Sequence, residues 1–257
     1  MLSLRRTLHE PGFHVGTWIA LSDPAAVEIA TGSALDFVVI DTEHGAIGPE
    51  TLERMLLGAR GGRARVLVRV GSNEPIRIMQ ALDGGADGIV VPRVATGDEA
   101  RRAIEWVRYP PEGHRGFGPR RAGGYGRHVA EYVAAADSGM AAVVQIERRE
   151  AIDALESICD VEGLDALLIG PNDLAGSLGV PRQLEHPLVQ EAIEQICRVA
   201  VAKGVPVGIA SESVAPNAES WVRLGMSFAV VDGDYAMLAR EIDRLVLSVA
   251  QATGSSN

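Results

Sequence analysis

Short runs of Val, Ile, Leu and Ala recur along the chain, and each is followed by a stretch whose apolar residues return at helical spacing. The runs are continuous rather than alternating. Continuous apolar runs belong to strands buried on both faces, as in a parallel sheet covered by helices. Eight such strands can be placed: residues 14–21, DFVVID (36–41), RVLVRV (65–70), GIVVP (88–92), AAVVQIER (141–148), ALLIG (166–170), PVGIA (206–210) and FAVVD (228–232). Between them the spacing predicts helices over about 24–34, 49–60, 75–83, 97–107, 129–136, 149–159, 186–203 and 215–224, with a last one over about 235–250. Asp23 is a natural N-cap with Pro24 at the first helical position. The segment after Ile169 reads as a loop.

Eight strands and at least eight helices in strict alternation predict a single-domain (β/α)8 TIM barrel spanning residues 1–257. A doubly wound open sheet is the runner-up, but no strand–helix junction carries a dinucleotide-type glycine fingerprint. The rhythm breaks only over residues 109–139, where YPPEGHRGFGPRRAGGYGR reads as a Gly/Arg-rich insertion.

Composition narrows the function. The chain has 257 residues, 47% of them hydrophobic, enough to bury a large core without disulfides. Cys159 and Cys197 fall in helical patterns and read as buried thiols. No run of apolar residues follows the arginines of MLSLRRTLHEPG, and no window is apolar enough to span a bilayer, so the expectation is a cytoplasmic protein without membrane contact. A net charge of −10 argues against nucleic acid, although RGFGPRRAGGYGR resembles an RGG tract. The better reading of that tract is a loop carrying Arg120 and Arg121 toward an anionic substrate.

In such a barrel the chemistry sits at the C-terminal ends of the strands. Those ends carry Trp18; Asp41, Glu43 and His44; Arg69; Gln145 and Glu147; Asn172 and Asp173; and Asp232 and Asp234. Glu147 and Asp173 close adjacent strands about 4.8 Å apart and can share one cation. An oxygen-only donor pair suits Mg, Mn or Co. The alternative is that each acid caps the next helix. Arg69 follows buried VLV and needs an anionic partner, either a substrate oxyanion or an ion pair with Glu43 or Glu147. A turn after Asp41 would bring its carboxylate to one ring nitrogen of His44. The one lysine, Lys203, ends a helix on the opposite face, so Schiff-base chemistry is excluded and an enolate would have to be held by a metal.

The motifs GTWIALSDP, IDTEHG, VLVRV, QALDGGADGIVVP, RYPPEGHRG, VQIERREA and IGPNDLAGSLG, in that order, resemble the HpcH/HpaI aldolases, class II metal-dependent pyruvate aldolases built on the phosphoenolpyruvate/pyruvate type of barrel. The resemblance implies that Glu147 and Asp173 bind a divalent metal on which pyruvate or hydroxypyruvate chelates as its enolate. It implies that Arg69 stabilises the enolate oxygen, that His44 with Asp41 transfers protons, and that an aldehyde is the second substrate. Gly170, Pro171, Asn172 and Asp173 would then hold the substrate carboxylate, and Trp18 and Gln145 would wall the pocket. It further implies a homo-hexamer, a trimer of dimers exchanging a last helix over 234–251, with Asp83 reaching a neighbouring subunit's site. Asn172 stands where the family often has alanine, and the 116–126 loop differs from that of the heptanedioate enzyme. An oxaloacetate decarboxylase or acyl-CoA lyase using the same enolate site is the alternative, and a non-catalytic binding barrel the third reading.

Overall fold

A computed structural model describes residues 3–213 and 217–253. Eight parallel strands close into a barrel in sequence order: β1 (His14–Ile19), β2 (Phe37–Asp41), β3 (Arg65–Arg69), β4 (Gly88–Val91), β5 (Ala141–Ile146), β6 (Ala166–Ile169), β7 (Val207–Ser211) and β8 (Phe228–Gly233). The strand pattern read from the sequence is therefore observed, with ends shifted by a residue or two. The start of the helix expected over 215–224 falls on residues 214–216, which lie outside the described residues.

Twelve helices are found among the described residues: α1 (Leu4–His9), α2 (Pro24–Thr31), α3 (Pro49–Gly58), α4 (Pro75–Asp83), α5 (Gly97–Glu105), α6 (Val129–Gly139), α7 (Arg149–Asp153), α8 (Leu155–Cys159), α9 (Pro171–Ser177), α10 (Pro187–Ala202), α11 (Ala218–Arg223) and α12 (Asp234–Thr253). Asp23 caps α2 through the amide of Ala25, with Pro24 at its start. The helix expected over 149–159 is two short pieces broken at Ala154. The stretch after Ile169 is not a loop but α9, begun by Pro171.

Strand parity decides which side chains reach the lumen. Phe37 and Val39, Leu67, Val90, Ala141 and Val143, Leu168, Phe228 and Val230 form the inner core, while Val38, Ile40, Val66 and Val68 pack outward under the helices. Successive side chains of a strand point to opposite faces, so two residues past each inner position the sequence again points inward. That places Asp41 after Val39, Arg69 after Leu67 and Gln145 after Val143. The register sets Asp41 directly beside Arg69. At the other end of the barrel, Leu4 and Leu8 of α1 join the inner core and plug it.

Candidate active site

The strand ends open into one cavity of about 1110 Å³. Trp18, Asp41, His44, Arg69, Gln145, Gly170, Pro171, Asn172 and Asp173 all line it. Glu147 lies just beneath, 3% exposed.

Arg69 is the centre of the charged network. Its Nε and Nη2 donate to the two oxygens of Asp41 at 2.9 and 2.7 Å. Its Nη1 lies 3.4 Å from Glu43. The guanidinium stacks 4.3 Å from the centre of the Trp18 ring, a cation–π contact. The expected ion pair with Glu43 is present, and Asp41 is the stronger partner. Burial works to raise the Asp41 pKa, but the bonds and charge of Arg69, with the amides of Glu43 and His44, hold the carboxyl below its ordinary value. The expected Asp41–His44 ring contact is not formed. Both carboxylate oxygens face Arg69 because register places the two residues side by side, and Asp41 touches His44 only through its backbone amide at 3.3 Å.

Glu147 has the opposite electrostatics. Burial, together with the charges of Glu43 and Asp173, pushes its carboxyl up to about 7, against the lowering effect of the Arg93 amide and Arg69. One oxygen accepts from the backbone N–H of Arg93 at 2.8 Å, and the other accepts from the side-chain amide of Gln145. Gly170 makes room for this arrangement, since an added Cβ would sit 2.7 Å from both Glu147 Oε2 and Gln145 Nε2. Asp173 stands in the first turn of α9. Acids therefore outnumber cations around Glu147, and their donors are all oxygen, which fits a hard divalent cation with its remaining positions filled by water or substrate. No group of three His, Cys, Asp or Glu side chains that could hold a metal occurs among the described residues.

Several sequence-derived positions fall elsewhere. Arg120 and Arg121 do not face the cavity. Arg120 pairs with Glu53 of α3, and Arg121 donates to the carbonyls of Gly84 and Leu56, because their loop folds over α3 and α4 outside the barrel. Asp83 lies on that same outer face, bound by Arg115 at 2.7 Å. It lines a separate cavity of about 610 Å³ with Phe117 and Arg120. Asp234 ties the amides of Ala20 and Leu21 to the start of α12.

Other contributors were not foreseen. Arg93, one residue past Pro92 at the end of β4, is in the left-handed region (φ 58°), pairs with Glu43 at 2.7 Å and presents its amide to Glu147. Reading the end of β4 as the other ends were read would have found it. Arg182, Glu212, Tyr235 and Arg240 also line the cavity, and no local pattern announces them.

A sequence profile of the HpcH/HpaI aldolase/citrate lyase family matches residues 14–231. The chain belongs to that family. The 4-hydroxy-2-oxo-heptane-1,7-dioate aldolase of Salmonella paratyphi C is 36% identical over 233 residues, 90% of this chain and 88% of that protein. The 5-keto-4-deoxy-D-glucarate aldolase of Escherichia coli O139:H28 is 35% identical over 232 residues, 90% of each. An HpcH/HpaI aldolase/citrate lyase family protein from Burkholderia cenocepacia J2315 superposes with a TM-score of 0.89 at 29% identity, covering 96% of this chain and 98% of that one. This HpcH/HpaI family member is accordingly an enzyme of the carbon–carbon lyase class. None of its described helices is long and apolar enough to cross a membrane.

Proposed function

We propose that this family member catalyses the reversible aldol addition of a pyruvate or hydroxypyruvate enolate to an aldehyde, with a divalent cation (Mg, Mn or Co) held by Glu147 and Asp173. The observation that carries the reading is the buried Glu147 carboxyl, pushed up to about 7 among Glu43 and Asp173, packed behind Gln145 and Gly170 of a cavity that Arg69, His44 and Asp173 also line. A cation bound there supplies Lewis-acid polarisation of the 2-oxo acid.

The chain's own residues do the rest. Two of the five N–H groups of Arg69 go to Asp41, which fixes the guanidinium and leaves donors for the enolate oxygen. In the cleavage direction a ring nitrogen of His44 takes the proton of the 4-hydroxyl. The C3–C4 bond breaks, its electron pair stays with C3 as the enolate, the aldehyde leaves, and the proton held on His44 is returned to C3. Asn172 and Asp173 lie in the first turn of α9, whose backbone N–H groups lack intrahelical acceptors and suit a substrate carboxylate. Trp18 and Gln145 shape the wall.

The Salmonella and Escherichia coli aldolases above are named for dicarboxylic oxo acids, and retro-aldol cleavage of such an acid between C3 and C4 releases an aldehyde that keeps the second carboxylate. An acyl-CoA substrate wants a basic cleft, and Arg120 and Arg121 are engaged elsewhere. The hexameric reading is supported by α12, which buries none of its residues and exposes Leu238, Ile242, Leu245, Val246 and Val249. A second copy exchanging this helix would cover them.

The test is pyruvate release from a 4-hydroxy-2-oxo acid, with oxaloacetate decarboxylation in parallel. Release that stops with a chelator and returns with Mg or Mn is expected. Undiminished turnover after complete metal removal sinks the mechanism, and faster turnover of oxaloacetate moves the assignment to a decarboxylase.

A further inference from the structure

Among the described residues, one of the three arginines that line the cavity has no acid partner. Arg69 is held by Asp41, and Arg240 is paired with Asp232. Arg182, on the segment between α9 and α10, lines the same cavity, is exposed to solvent and has no ion pair or hydrogen bond from its guanidinium among the described residues. Its backbone is in the left-handed region (φ 63°), a conformation that glycine adopts freely and arginine seldom does. The cavity, at about 1110 Å³, is far larger than a three-carbon oxo acid needs, so a second reactant has room beside it.

We propose that Arg182 is a specificity residue that grips a carboxylate on the aldehyde acceptor, so that the enzyme prefers aldehydes bearing an anion over neutral ones of the same length. The proposal rests on the aldolase reading above. A guanidinium is a planar fork of donors that matches a carboxylate, and one left unpaired at a cavity mouth is available for that match. Another charge that lines the cavity has the opposite sign. Glu212, on the loop after β7, also lines the cavity. Because β6 and β7 are neighbours, Arg182 and Glu212 border the same sector, and Glu212 would repel the acceptor that Arg182 attracts. The two residues should therefore have opposite effects on the same substrate.

The experiment measures steady-state addition of pyruvate to 4-oxobutanoate and to its methyl ester, on the full chain with saturating Mg or Mn. Arg182→Ala is expected to raise KM for 4-oxobutanoate by about tenfold, the loss of one charge-assisted grip, with kcat within about twofold and KM for the ester unchanged. Arg182→Lys should restore part of the difference, and Glu212→Gln should lower KM for 4-oxobutanoate only. Arg182→Gly suits the left-handed backbone, so it should keep the thermal stability of the wild type and still lose the discrimination. Equal response of both acceptors to these substitutions, or no response, overturns the role of Arg182 while leaving the aldolase reading in place. Failure of the wild type to turn over either acceptor overturns the aldolase reading and this proposal with it.

Discussion

The two ends of the barrel each hold a buried cluster of arginines and acids, and they differ in how the charges balance. At the end plugged by α1, Asp165 is fully buried and meets two cations, Arg108 at 3.0 Å and Arg5 at 2.7 Å, while Asp165 also accepts from the amide of Ala142. Two arginines meet the one carboxylate, and Leu4 and Leu8 pack into the inner core at this end. At the open end, Asp41, Glu43, Glu147 and Asp173 stand with Arg69 and Arg93 among the described residues, and Asp41, Arg69 and Asp173 of this cluster line the large cavity. The same residue types thus make a structural knot where cations exceed acids and the site is closed. Where acids exceed cations and the site is open, they make a place for a foreign cation. Charge balance and access, more than residue type, separate structure from function here.

The largest expected effect breaks the open cluster. Glu147→Gln and Asp173→Asn should each lower turnover of a 4-hydroxy-2-oxo acid by about a thousandfold, on the order of 4 kcal/mol of barrier. Thermal stability in the absence of metal should stay level or rise, because each change removes a carboxylate from a crowd of carboxylates. A parallel loss of folding and turnover would make these acids structural. The closed cluster should behave the other way. Asp165→Asn leaves Arg108 buried without its carboxylate, which costs about 3–5 kcal/mol, or roughly ten degrees in melting temperature. Turnover per folded molecule should stay within about twofold. A change in KM for that variant would mean that the two ends of the barrel are coupled.

Much of this contrast was legible in the sequence, and the illegible part has identifiable causes. The strands were plain because parallel strands buried on both faces are unbroken apolar runs. The rim residues Trp18, Asp41, His44, Arg69, Gln145 and Asp173 were plain because strand ends locate them, and all line one cavity. The pairing of Asp41 with Arg69 instead of the His44 ring was not plain, because it follows from the register between β2 and β3, which no local pattern encodes. The plug α1 is only six residues long, too short for periodicity to speak, although Leu4 and Leu8 have helical spacing. Gly170-Pro171-Asn172 reads as a turn, yet Pro171 with its fixed φ opens α9. Arg120 and Arg121 misled because a Gly/Arg-rich tract invites a substrate-facing reading, whereas the carbonyls of Gly84 and Leu56 and the Glu53 carboxylate hold them.

The smallest expected effect sharpens the comparison through pH. The folded Glu147 carboxyl sits near 7 against an ordinary 4.5, so between those values the folded chain holds a proton that the unfolded chain has lost. Its contribution to stability is therefore fully present at low pH and is lost as pH rises through about 4.5 to 7. In metal-free buffer the melting temperature should fall by a few degrees across that window, and Glu147→Gln should flatten the fall. Asp41 works in the opposite direction, since Arg69 holds its carboxyl below the ordinary value and its contribution fades only in acid. A divalent cation binds the ionised form of Glu147, so the stabilisation it gives should grow as pH rises through the same window. Scanning calorimetry at several pH values, with and without Mg, reads all three slopes. A melting temperature that rises from pH 5 to 7 without metal in the wild type, and equally in Glu147→Gln, would mean that the acids of the open end are already balanced within the chain. The distinction between the two clusters would then fail.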